Sequence, residues 1–107
     1  ASDVYKRQIL NYSVAEIRIM ALYSLSYDLR NQRDYQTLYD ELKKFKAIRV
    51  LKSTWCFKRF NTNTEELRNH FVKFIDSDDG LFVAEIPAVG TGYEWAGYNL
   101  DGSPNNL

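Results

Sequence analysis

Residues 20–29, MALYSLSYDL, decide the fold. Alternation along this stretch puts Tyr23, Leu25 and Tyr27 on one face of a strand and Leu22, Ser24, Ser26 and Asp28 on the other. The first face is broad and apolar. The second is small and polar and ends in a carboxylate. Such a strand can pack helices on one side and leave Asp28 facing solvent, a partner subunit or a metal.

Working outward, residues 30–33 form a polar loop and Asp34 is placed to cap a helix. Tyr35, Leu38, Tyr39, Leu42 and Phe45 then recur at helical spacing and make one apolar face. Lys43, Lys44 and Lys46 at its end suit the helix dipole. Residues 47–51 and 54–60 are rich in β-branched and aromatic side chains and are expected to be two strands. Trp55 and Phe57 share one face of the second strand, and Thr54, Cys56 and Lys58 share the other. Thr62 and Glu65 have capping-box spacing ahead of a second helix. Its stripe is Leu67, Phe71, Phe74 and Ile75, with His70 beside it. Residues 76–80 are a turn, 81–86 a fourth strand, and Pro87 ends it.

The order strand, helix, strand, strand, helix, strand predicts an α+β, ferredoxin-like sandwich: an antiparallel sheet with two helices on one face. Residues 20–86 are expected to form this domain, and 87–107 a glycine-rich tail. Tyr93, Trp95, Tyr98 and Leu100 make that tail too apolar for plain solvent. A homodimer closed face to face, with residues 93–100 exchanged as an edge strand, would cover both the tail and the second sheet face.

Fourteen basic and fourteen acidic residues cancel, so no net field draws the chain onto nucleic acid, and such binding has to be local. The distribution is uneven. Residues 43–59 hold seven cations and no acid, whereas no lysine or arginine follows Lys73. The basic segment is a candidate phosphate-facing edge. One cysteine, Cys56, excludes an internal disulfide, and a lone thiol without a secretory leader points to a reducing, cytoplasmic compartment. No apolar run is long enough to span a membrane.

Residues 3–8, DVYKRQ, resemble the in-frame translation of a transposase adapter used in library preparation. Residues 1–8 are therefore expected to be non-native, 9–19 to be translated upstream DNA, and Met20 to be the start.

The strand ending YSLSYDL, the helix after it and the LKSTWCF junction resemble the small CRISPR-associated protein that partners the integrase in spacer acquisition. Its relatives include the virulence-associated protein D ribonucleases. The stand-alone SinR-family bacterial proteins are the most similar, through IDSDDGLFVAEI and the late tryptophan as well. The resemblance spans about residues 20–100. It implies a small ferredoxin-like dimer in which Asp28 is a catalytic metal ligand for magnesium or manganese in a nuclease acting on RNA or DNA. It further implies that Ser53 and Trp55 form the family's serine-plus-aromatic junction and that Arg30 and Arg33 are the basic residues that follow the aspartate.

Metal-assisted cleavage of a phosphodiester needs several oxygen ligands and nearby cations. One aspartate is too few, but paired Asp28 residues across a dimer could supply the second ligand. The expected nucleic-acid contacts are Arg30, Arg33, Arg49, Lys52, Ser53 and Lys58. As a turn residue, Asp28 could equally accept backbone hydrogen bonds. His70 reads as a packing residue, Cys56 as a small strand residue, and Asp76, Asp78 and Asp79 as a solvated turn, because no EF-hand loop follows. Three functions stay open: a metal-dependent nuclease, a non-catalytic nucleic-acid-binding or scaffold subunit, and an interaction protein such as half of a toxin and antitoxin pair.

Overall fold

A computed structural model describes residues 20–107, so the expectations for residues 1–19 lie outside the described residues. The central strand is β1 (Ala21–Asp28), flanked on one side by β3 (Thr54–Arg59) and on the other by β4 (Gly80–Ile86). The short strand β2 (Ile48–Leu51) pairs with the outer edge of β3, giving the order β2-β3-β1-β4 with every pairing antiparallel. Helix α1 (Gln36–Lys44) connects β1 to β2, and α2 (Thr64–Phe71), extended by a 3₁₀ turn at Val72–Phe74, connects β3 to β4. The result is a mixed α+β domain with a four-stranded antiparallel sheet and two helices. A small hairpin of β5 (Ala88–Val89) and β6 (Gly92–Tyr93) follows β4, which the sequence reading did not anticipate.

The period-two alternation of β1 divides the molecule into two cores. Tyr23, Leu25 and Tyr27 join Trp55 and Phe57 of β3, and this face packs on Leu38 and Leu42 of α1 and Leu67 and Phe71 of α2 in one buried cluster. Both helices therefore cover the same sheet face. Burying side chains of this size contributes about 1.5–3 kcal/mol each, which makes this face the main source of stability. On the other face Leu22, Val50 and Cys56 form a smaller cluster, with Ile48, Ile86, Tyr93 and Leu107 packed around it. Further along β1, Ser26 and Thr54 share a cross-strand hydrogen bond of 2.9 Å on this second face.

The helix ends follow local rules. Asp34 accepts from the Gln36 amide at 2.9 Å, as a first-turn acceptor should. At α2 the cap lies one residue beyond the expected Thr62 and Glu65 pair: Asn63 accepts from the Glu66 amide at 2.8 Å. Thr62 has another role, its carbonyl accepting the Tyr23 hydroxyl at 3.2 Å.

Within residues 93–100 only Tyr93 lies in a strand, and the tail turns back onto its own chain. The Asp101 amide donates to the Val50 carbonyl at 2.9 Å, and Pro104 is buried. Gly102 allows this approach: an added Cβ would lie 2.7 Å from the Arg49 carbonyl oxygen and 2.8 Å from Ile48. No helix among the described residues is long and apolar enough to cross a membrane.

Candidate functional site

Register places the C-terminal end of β1, the β2–β3 turn and the β1–α1 loop at one end of the sheet. There they enclose a cleft of about 300 Å³ lined by Tyr27, Asp28, Arg33, Arg49, Lys52 and Ser53, with Tyr35 and Tyr39 on the helix side. Five residues singled out from the sequence thus meet in one concavity: Asp28, Arg33, Arg49, Lys52 and Ser53. Arg30 stands just outside it, and Lys58 belongs to the opposite end of the sheet, where it pairs with Leu22 near the start of β1.

The basic wall of the cleft is held by a buried hydrogen-bond hub. The β2–β3 ladder slips between Arg49 and Leu51, a bulge of the kind that re-aims neighbouring side chains. Arg49 then curls over the turn, donating to the Lys52 carbonyl from Nε at 3.0 Å and from Nη2 at 2.6 Å. Its guanidinium lies over the rings of Tyr39 and Trp55, 5.2 and 5.3 Å from their centroids. The Tyr27 hydroxyl accepts from the indole N–H of Trp55 at 3.0 Å and meets Arg49 at 3.4 Å. Burial pushes the Tyr27 phenol above its ordinary value, with the Trp55 hydrogen bond and the Arg49 charge acting the other way. Tyr27 is therefore a neutral structural hub at physiological pH.

The β1–α1 loop beside the cleft is held by the acidic turn after α2. Asp79 accepts from the Arg30 amide at 2.7 Å, the Asp76 amide at 2.8 Å and the Tyr35 hydroxyl at 2.8 Å. Burial opposes ionisation of Asp79, but these donors and the charge of Arg33 outweigh it and hold the carboxyl below the ordinary aspartate value. Burial, reinforced by the Asp79 hydrogen bond, raises the Tyr35 phenol. Asn31 donates to Asp76 at 2.8 Å and to Asp78 at 2.7 Å, while Arg33 pairs with Asp76 at 3.0 Å and lies 4.5 Å over the Tyr35 ring. The turn is a clasp that fixes the β1–α1 loop, rather than a freely solvated stretch. Asn31 and Tyr35 are the residues the sequence reading missed. Tyr35 was legible only as part of an apolar stripe, since its ring is buried while its hydroxyl reaches across the sheet end.

Asp28 projects outward, with 71% of its side chain exposed, and pairs with Arg30 Nε at 3.1 Å. Arg30 also donates to the Asp78 carbonyl at 2.8 Å, so this cation is already committed to the loop. Gly80 stands opposite Asp28 in β4, and a Cβ there would come within 3.1 Å of the Arg30 guanidinium.

Carboxylate oxygens of Asp76, Asp78 and Asp79 lie within 4.8 Å of one another and form the one acidic triad found among the described residues. Each is already an acceptor for Asn31, Arg33, Tyr35 or a backbone amide. Among the described residues Asp28 is the only carboxylate that lines the cleft. An ion held at Asp28 would take one carboxylate from the described residues of one chain and its remaining oxygen ligands from elsewhere.

The other candidates separate from this cleft. His70 bridges the helices through Glu41 at 2.5 Å and packs against Phe45, Phe71 and Phe74. Cys56 is buried, and burial raises its thiol above the ordinary value, so it is held as the unreactive thiol. No family model matches the chain, and no solved structure matches it significantly.

Proposed function

We propose that the chain is a nucleic-acid-binding protein whose cleft at the C-terminal end of β1 takes the phosphate backbone, in a ferredoxin-like homodimer related to the CRISPR-associated spacer-acquisition and SinR-family proteins. The observation that carries this reading is the convergence of Arg33, Arg49 and Lys52 with Ser53 in one concavity beside Tyr35 and Tyr39. Arg49 and Lys52 have no carboxylate partner among the described residues. Their charge is available to phosphate, Arg49 offering the guanidinium N–H groups that do not donate to the Lys52 carbonyl. Support for the ferredoxin-like name comes from the strand order, in which β3 fills the gap between β1 and β2 and both crossovers lay their helices on one face. Support for the dimer comes from the second sheet face. Phe82 of the edge strand β4 is 67% exposed there, beside Ser24, Ser26 and Ala84.

Catalysis at Asp28 is the narrower possibility within the same site. Asp28 shares the cleft with the cations, and twofold pairing would bring a second Asp28 from the other copy. The test uses labelled single-stranded RNA and duplex DNA with magnesium or manganese, comparing wild type with Asp28→Ala and with Arg33→Gln/Lys52→Gln. Binding that survives Asp28→Ala but weakens in the double variant supports the binding protein. Metal-dependent cleavage lost in Asp28→Ala would make it a nuclease, and equal binding by all three proteins would sink the assignment of the cleft.

A further inference from the structure

The opposite end of the sheet, where β1 begins, holds another concavity, of about 650 Å³. Ala21 pairs with Arg59 there, whereas Asp28 pairs with Gly80 at the far end. The two ends are roughly 25 Å apart at ~3.3 Å per strand residue. Lys44 and Lys46 line this concavity from the end of α1 and Lys58 and Arg59 from the end of β3, together with Phe45 and Phe60. No aspartate or glutamate among the described residues lines it. Among the described residues none of the four cations is in a salt bridge. Lys58 meets the Leu107 main-chain oxygen at 3.4 Å and the Tyr93 ring at 5.3 Å. Arg59 lies over the Phe45 ring, 4.0 Å from its centroid, and Phe60 is 54% exposed. An adjoining hollow of about 490 Å³ does include Glu41 and Glu66, but both are engaged, Glu41 with His70 and Glu66 at the cap of α2.

The dipole of α1 accounts for lysines in its last turn. It does not account for two more cations arriving from a strand. Nor does it account for the backbone at Lys46, where φ is 57° immediately after the C-cap Phe45. Glycine or asparagine removes the penalty of that left-handed position. A lysine at this position, on the rim of a concavity that no described aspartate or glutamate lines, points to a use for the side chain.

We propose that this end of the sheet is a second site, independent of the cleft near Asp28, which takes a nucleotide: its phosphate on Lys44, Lys46 and Arg59, and its base stacked on Phe60. The chemistry is the same for a free mononucleotide and for a nucleotide within a single strand. The full chain is titrated with thymidine 5′-monophosphate by calorimetry and with fluorescein-labelled oligodeoxythymidine by anisotropy. Wild type is compared with Lys46→Gly, Phe60→Ala and the cleft variant Arg33→Gln/Lys52→Gln. Lys46→Gly relieves the positive φ, so its thermal midpoint stays equal or rises while affinity falls several-fold. Phe60→Ala lowers affinity about tenfold, the size of one lost stacking contact. Losses with both probes identify a mononucleotide site, and losses with the oligomer alone identify a strand contact. The site is overturned if wild type binds neither probe, or if both Lys46→Gly and Phe60→Ala bind as wild type does. In the latter case weakening by the cleft variant alone would leave the first assignment standing and remove this one.

Discussion

Tyr27→Phe removes one oxygen and leaves the ring in place. In the folded protein that oxygen is the acceptor for the Trp55 indole N–H at 3.0 Å, and Trp55 is only 5% exposed. Its contacts with Arg49 and the Lys52 carbonyl, both at 3.4 Å, are at the weak limit of hydrogen-bond geometry and add little. The expected effect is therefore that of one stranded buried donor, about 2 kcal/mol. In a domain of this size that corresponds to a fall in thermal midpoint of roughly 10 °C, or to a loss of about 1–2 M in urea midpoint at an m-value of ~1–2 kcal/mol/M. Arg49 keeps both hydrogen bonds to the Lys52 carbonyl, so oligonucleotide affinity should be unchanged. Urea denaturation followed by tryptophan fluorescence reads the first effect, and anisotropy reads the second. A midpoint shift too small to measure would show that the indole N–H has another partner. A large affinity loss would show that Tyr27 itself contacts the ligand.

Replacing Asp79 with Asn should lower stability at neutral pH and flatten the acid limb of the stability profile. The folded carboxyl sits below the unfolded value of 3.8, so its contribution is present above that pH and is lost as pH falls through the folded value. Thermal melts from pH 7 down to pH 2 check this, and an unchanged acid limb would refute it. Tyr23, Tyr27 and Tyr35 all have phenols raised above 10.0, chiefly by burial, so stability should fall as pH rises beyond about 10. Alkaline urea titrations with tyrosinate absorbance would detect it. Gly102→Ala should detach the tail from β2 at a cost of about 1–3 kcal/mol, seen as faster proteolysis after residue 93; unchanged cleavage would mean the tail is not held there. Phe57→Ala, in the centre of the larger core, should cost about 3–5 kcal/mol and leave little folded protein at 37 °C.

The sequence was most informative where structure is local. Alternation in residues 20–29 separates the faces that become the two cores, and the spacing of Tyr35, Leu38 and Leu42 marks the buried side of α1. The hairpin was hidden because its strands are two residues each; its signal is Gly90 at φ 59° opening a two-residue turn. Docking of the tail depends on Gly102 meeting Arg49, a contact no local pattern encodes. Charge runs carried the right residue types without their addresses. Lys52 and Lys58 lie close in sequence, yet the length of β3 carries Lys58 from the turn at Lys52 to the opposite end of the sheet. The acidic turn was legible as a turn but not as a clasp, because Tyr35 lies 44 residues from Asp79 and Asn31 lies 45 from Asp76.

The most direct test of phosphate binding at the β1 end is the salt dependence of affinity for a labelled single-stranded oligonucleotide. It would be measured for wild type and for Arg33→Gln/Lys52→Gln between about 50 and 200 mM salt, the range over which counterion release is read. Each phosphate contact contributes about −0.7 to the slope of log affinity against log salt on a single strand. The double variant should therefore bind more weakly with a slope shallower by about 1.4. The same slope and affinity in both proteins would contradict a phosphate-binding cleft at Asp28.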